Sequence, residues 1–204
     1  MKKNITCPCG RNISFDYLEI VNLDENPQLL NEIFNGTFMS INCPGCSKKH
    51  KPEFNITVIW ESKNCNLSVI PELGRGEFYL KKKENPPFET VIGFPEMADR
   101  LSVIKDELEP VVIETLKSYI LAKAEENYPD NEINVWYYCS SPSGIEFHLD
   151  GIRNEEVAVM RIPLEMYTKT LEEYNNHPKN SSFTSLRVRN YLSIQNILRP
   201  DVLK

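Results

Sequence analysis

No stretch of this 204-residue chain approaches the ~20 consecutive apolar residues that a membrane span requires. The first residues, Met1-Lys2-Lys3-Asn4-Ile5-Thr6, contain no apolar segment of the kind that opens a secretory signal. A soluble, cytoplasmic protein with no membrane partner and few disulfides is therefore expected. Glutamine is scarce, low-complexity runs are missing, and eight glycines with fourteen prolines do not amount to a disordered composition. There is no Gly-x-Ser-x-Gly, Walker loop, His-Glu-x-x-His or dinucleotide fingerprint, so the sequence signatures of several enzyme classes are absent. Excess positive charge is lacking as well. The net charge is −6, with seven basic and seven acidic residues in positions 1–63 and 16 against 22 in the remainder. That balance disfavours non-specific nucleic-acid binding by the whole chain, because neutralising phosphates takes clustered Lys and Arg. Short basic groups at Lys48, Lys49 and Lys51, at Lys81 to Lys83, and at Arg187 with Arg189 read as solvated surface.

Six cysteines are present, and four of them fall into two tight clusters, Cys7-Pro8-Cys9-Gly10 and Cys43-Pro44-Gly45-Cys46. Four thiolates are the ligand set of a closed tetrahedral zinc site, so one structural Zn2+ held by Cys7, Cys9, Cys43 and Cys46 is the leading reading. Pro8 fixes φ for the sharper bend that a single intervening residue demands, and Gly45 is expected to supply a positive φ ahead of the last ligand. Buried apolar thiols, disulfides and a redox dithiol are the competing readings. Polar or small Thr6, Gly10, Asn42 and Ser47 flank the thiols and argue against burial, while the expected compartment argues against disulfides. Two pairs bracketing a helix also differ from the single pair of a thioredoxin-like centre. His50 is an alternative ligand in place of Cys9. Lys2, Lys3, Arg11, Lys48 and Lys49 are either outer partners of a centre whose formal charge would be −2 or plain solvated surface. Cys65 and Cys139 have no thiol at ligand spacing and read as ordinary residues.

Ile5-Thr6-Cys7-Pro8-Cys9-Gly10, the segment Val21-Asn22-Leu23-Asp24 leading to Pro27-Gln28-Leu29-Leu30, and Gly36-Thr37-Phe38 before the second Cys-Pro pair resemble the CpXC domain family of bacterial and archaeal proteins. A weaker echo runs through Ile104-Lys105-Asp106-Glu107-Leu108 and Val112-Ile113-Glu114. The first pair is one residue shorter than the family's pattern. What the resemblance implies is a zinc-binding module over roughly residues 5–125, without an assigned activity.

Ile13, Phe15 and Tyr17 alternate with polar residues as in a half-buried strand, and Asn26-Pro27 followed by Leu29, Leu30, Ile33 and Phe34 predicts a short helix closed by Gly36. Strands are expected over 54–60 and 67–70, completing a zinc ribbon, with another over 77–80. Pro95 opens a helix carrying Met97, Leu101 and Ile104. A second helix begins near Asp106, with Val112, Ile113, Leu116, Ile120 and Ala124 inward and Glu109, Glu114, Lys117 and Lys123 on a charged face. Three antiparallel strands follow over 133–139, 144–149 and 157–162, with turns at 140–143 and at Asp150-Gly151. Pro163 opens a helix with Leu164, Tyr167 and Leu171 inward.

The fold class is thus α+β: a zinc-ribbon-like antiparallel knuckle domain with short helices over 1–126, then a small antiparallel-sheet and helix region over 127–204. The leading function is a non-enzymatic, zinc-stabilised module whose partner is another protein. One alternative is a nucleic-acid-binding ribbon using Lys2, Lys3, Arg11, Lys48, Lys49 and Lys51. The other is an enzyme with a site around Glu146 or His148, two residues expected on opposite faces of one strand, an arrangement that weighs against a paired acid and base. His177, in a turn before proline, reads as a cap or an exposed residue.

Overall fold

The computed structural model describes residues 2–81 and 87–198, which places Lys82 and Lys83 of the basic group at 81–83 outside the described residues. The chain divides into two compact units, Met1–Ala98 and Asp99–Lys204.

In the first unit, β1 (Lys2–Thr6) and β2 (Asn12–Asp16) form an antiparallel hairpin in register from Lys2↔Asp16 to Thr6↔Asn12. After β3 (Ile20–Asn22), Pro27 leads into α1 (Gln28–Phe34), which buries Ile33. The helix stops as its sequence predicts. Gly36 takes φ +62°, and the Thr37 N–H reaches back to the Glu32 carbonyl at 2.8 Å, satisfying a carbonyl the last turn would leave open. A second small hairpin, β4 (Ile41–Asn42) with β5 (Lys49–His50), follows.

Alternating burial of Ile56, Val58 and Trp60 makes β6 (Ile56–Trp60), and Cys65, Leu67 and Val69 do the same for β7 (Cys65–Ile70). These two strands pair antiparallel, but they stand in a sheet of their own and not with the cysteine hairpins. β3 adds to β6 in parallel, and β8 (Glu89–Ile92) adds to β7 in parallel, so the sheet is mixed where an antiparallel ribbon was expected.

The strand expected at 77–80 is instead helix α2 (Arg75–Leu80). Phe78 and Tyr79 are both buried, as consecutive apolar residues of a strand with one wet face could not be. The buried Arg75 also ties the turn together, meeting Glu72 at 2.6 Å and Glu96 at 2.8 Å. The helix α3 (Gly93–Lys105) runs through the division between the units.

In the second unit, α4 (Pro110–Asn127) starts at its proline and not near Asp106. Proline biases the residue before it towards an extended backbone, and Glu109 is extended and caps the Val111 N–H. The sheet β9 (Asn134–Ser141), β10 (Gly144–Arg153) and β11 (Glu156–Ile162) is antiparallel in the order β11-β10-β9. Asp150 and Gly151 lie inside β10, not at a turn. Gly151 has φ +85°, and a Cβ there would stand 1.9 Å from the Glu132 carbonyl oxygen, so the close approach of two backbones accounts for the glycine. Beyond it come α5 (Leu164–Asn176), α6 (Ser181–Thr184), the short pair β12 (Arg187–Val188) and β13 (Tyr191–Leu192), and α7 (Gln195–Leu198).

The second unit's core joins Val112, Ile113 and Leu116 of α4 to Val135, Tyr137, Ile145, Phe147 and Leu149 of the sheet. The division at 98/99 follows from this packing, because α4 packs with the strands that come after it. The architecture is α+β with small sheets and short helices. Among the described residues no helix is long and apolar enough to cross a membrane.

Candidate metal centre

Each cysteine pair sits at the tip of a hairpin. In the first, the Cys7 N–H donates to the Arg11 carbonyl at 2.8 Å and the Gly10 N–H donates to the Cys7 carbonyl at 2.8 Å, with Gly10 at φ +85°. That closure turns the chain tightly enough for one intervening residue to present both Cys7 and Cys9. At the second tip, the Cys43 N–H donates to the Lys48 carbonyl and the Ser47 N–H to the Cys43 carbonyl, each at 2.9 Å. The left-handed residue there is Ser47, φ +57°, and not Gly45. Gly45 has a different role. A Cβ on it would lie 2.7 Å from Arg11 Nε, so the bare glycine lets the Arg11 side chain lie against the second tip.

The four Sγ atoms all lie within 4.8 Å of one another, and the contacts between hairpins, Cys7 to Cys46 and Cys9 to Cys43, are both 3.6 Å. A tetrahedron with metal–sulfur bonds of ~2.3 Å has S···S edges of about 3.8 Å. The sulfurs are therefore positioned to hold a metal ion, and none is in a disulfide. Cys7 and Cys43 are buried, contrary to the expectation from their polar neighbours, and pack with Ile13, Ile5 and Ile41; Cys9 and Cys46 are exposed. The two hydrophobic anchors come one from each hairpin, so burial alone already brings the tips together.

The thiols are electrostatically unequal. The Gly45 N–H, 3.4 Å from Cys43 Sγ, with the Cys46 N–H and the thiols of Cys7 and Cys9, holds Cys43 down to about 6 despite its burial. At Cys7 the Cys9 N–H pulls downward, but burial and three neighbouring thiols push it up to about 12. Of these two buried thiols, Cys43 is the one whose surroundings favour the thiolate. His50 Nε2 stands 3.3 Å from Cys7 Sγ, the distance of a hydrogen-bond partner to a sulfur, beside the four clustered sulfurs. Lys2, Lys48 and Lys49 are exposed, and Lys3 lies over the rings of Tyr17 and Phe54 at 5.3 and 5.7 Å. Of the basic residues flanking the cysteines, Arg11 is the one that packs against a knuckle.

Cys65 is buried in β7 and Cys139 half-buried in β9, both outside the cluster. Glu146 and His148 share a face of β10, because residues two apart in a strand point the same way, and the expectation of opposite faces is corrected. His148 Nε2 is 3.3 Å from Glu146 Oε1, Arg161 is 2.7 Å from Oε2, and the Tyr138 ring stacks on His148 at 4.0 Å. Arg161 is the main cause of the lowered Glu146 pKa. This is an open sheet face. Two grooves of the second unit, one lined by residues 176–180 and one by Val111, Tyr174 and Phe183 with Arg187 and Arg189, include neither Glu146 nor His148. His177 ends α5, its N–H on the Glu173 carbonyl at 2.8 Å.

Sequence reasoning missed a buried ionic group in the second unit. Lys117 contacts both Asp99 and Glu114, the latter at 2.8 Å; Arg100 lies 3.7 Å from Glu114 and donates to the Leu192 carbonyl at 2.8 Å. Glu114 and Lys117 are thus inside, not on the charged face assigned to them. The signal was available: Val111, Val112, Ile113, Leu116, Ile120 and Leu121 nearly encircle the helix and leave no wet side for positions 114 and 117.

Hairpin tips presenting four converging cysteines within a mixed α+β chain define a protein with a cysteine knuckle suited to metal. Residues 5–117 match the family described as CpXC protein, and the chain belongs to that family. It is also similar to an uncharacterized protein of Treponema pallidum (strain Nichols), 27% identical over 218 residues that span 95% of this chain and 97% of the relative. No solved structure matches.

Proposed function

We propose that the protein binds one zinc ion through Cys7, Cys9, Cys43 and Cys46, that the ion serves structure and not catalysis, and that the clamped first unit is a protein-interaction module. The observation that carries this reading is the convergence of four sulfurs from two hairpins to within 4.8 Å. A tetrathiolate set suits Zn2+ or iron, and with all four positions filled by protein it leaves no site for substrate or water. The ion, when bound, supplies a cross-link between the tips, and the Gly45 N–H, His50 and Arg11 lie where they would moderate the net negative charge of the four thiolates around it. Six thiols with no disulfide suit the reducing cytoplasm.

Elemental analysis of the purified protein, followed by affinity capture of partners with wild type and with Cys43→Ser, tests the reading. One zinc per chain and a protein partner captured by wild type but not by the variant support it. Iron in place of zinc, or turnover of a small molecule at the knuckle, overturns it. Salt-dependent retention of nucleic acid would replace the protein partner with the alternative one.

A further inference from the structure

β11 is the edge of its sheet, and among the described residues no strand pairs with its outer side. Its inward residues, Ala158, Met160 and Ile162, meet the core, while Val157 and Val159 are 58% and 60% exposed on the other face, followed by Arg161. The residue just before the strand, Glu155, is exposed in the turn. The strand carries no lysine or proline, two of the usual defences of a free edge against pairing, and its charges, Glu156 and Arg161, are paired with Arg153 and Glu146.

We infer that β11 pairs with β11 of a second copy of this chain, antiparallel about a two-fold axis at Ala158. In that register residues whose numbers sum to twice 158 face each other. Val157 then meets Val159 of the other copy, Val159 meets Val157, small Ala158 stands at the axis, and Arg161 comes beside the turn that holds Glu155, whose φ of +62° sets it just outside the ladder. The outward pattern, acid-Val-Val-Arg, is self-complementary when reversed, which is the requirement for an isologous contact. Moving the register by two residues opposes Val157 to Arg161 in one direction and Val159 to Glu155 in the other, and moving it by one puts wet faces against core faces. Charge and apolar complementarity therefore select the one register, and the product is a continuous six-stranded sheet. A single strand edge buries less than the ~1,600 Å² of a standard interface, so association in the micromolar range is expected.

Sedimentation velocity on the full chain, from low to several hundred micromolar, tests the contact. Wild type is expected to pass from monomer to dimer, and Val159→Lys, with its far-ultraviolet circular dichroism unchanged, to stay monomeric. Arg161→Glu alone is expected to weaken the dimer at least tenfold by placing two acids together, and Glu155→Arg with Arg161→Glu to restore it, because the reversed pattern is again self-complementary. Loss of the Arg161–Glu146 pair is common to both Arg161 variants, so recovery in the double variant separates the interface from local damage. Wild type that remains monomeric throughout, a dimer indifferent to Val159→Lys, or a double variant no better than Arg161→Glu would overturn the inference.

Discussion

Replacing Lys117 with methionine keeps the length of the side chain and removes the cation that serves two buried carboxylates at once. Asp99 would keep the Tyr137 N–H at 2.6 Å and Glu114 the Ile194 N–H at 2.9 Å, but the one nearby positive charge left would be Arg100, 3.7 Å from Glu114. Removing one partner of a buried pair costs about 3–5 kcal/mol, because the remaining charge cannot be rehydrated. In the wild type, burial raises the Asp99 pKa beyond what Lys117 offsets, whereas Lys117 and Arg100 together outweigh burial at Glu114 and lower its pKa. The raised Asp99 stabilises the fold below its unfolded pKa and loses that contribution as pH rises; the lowered Glu114 stabilises above its unfolded pKa and loses it as pH falls. Without Lys117 both acids lose the cation that favoured ionisation, so the deficit is expected to be largest near neutral pH and to shrink towards pH ~4, the ordinary carboxylate range. Urea denaturation of the whole chain at several pH values measures it. A loss under about 1 kcal/mol at neutral pH, or one independent of pH, would refute the reasoning that this group is a buried, charge-balanced set.

Three further outcomes follow from the knuckle. His50→Phe removes the ring nitrogen beside Cys7 Sγ and is expected to lower zinc affinity by about tenfold in a chelator competition, the low end for outer partners of a metal site. Gly45→Ala pushes a methyl group into Arg11; because that side chain can swing away, zinc stoichiometry should hold while the affinity falls a few-fold to match Arg11→Gln, and additive losses in the double variant would show that the two positions are not coupled. In metal-free protein the ultraviolet absorbance of thiolate should show a first deprotonation near pH 6, and it should be absent in Cys43→Ser.

The knuckle was legible because thiol chemistry and spacing are local: two short motifs picked out the four cysteines that converge, and the hairpins that carry them close through hydrogen bonds within five residues of each cysteine. The three strands from Asn134 to Ile162 were legible from their alternation, and α1 from Pro27 and Gly36. Contacts distant in sequence defeated the rest. Arg75 draws its turn into a helix by pairing with Glu96, 21 residues on, which no window around 77–80 contains. The parallel additions of β3 and β8 depend on which strand edge is free once β6 and β7 have paired. Gly45 was read through its backbone freedom, yet it is explained by the Arg11 side chain, which arrives from the other hairpin.

The most direct measurement is the zinc content of the protein purified without added metal, set against the same measurement on Cys43→Ser. One equivalent of zinc per chain in the wild type, with little or none in the variant and a lower thermal transition, is the expected result. Wild-type protein free of zinc, or a variant that retains its full equivalent, would contradict the claim that these four sulfurs clamp the two hairpins through a metal ion.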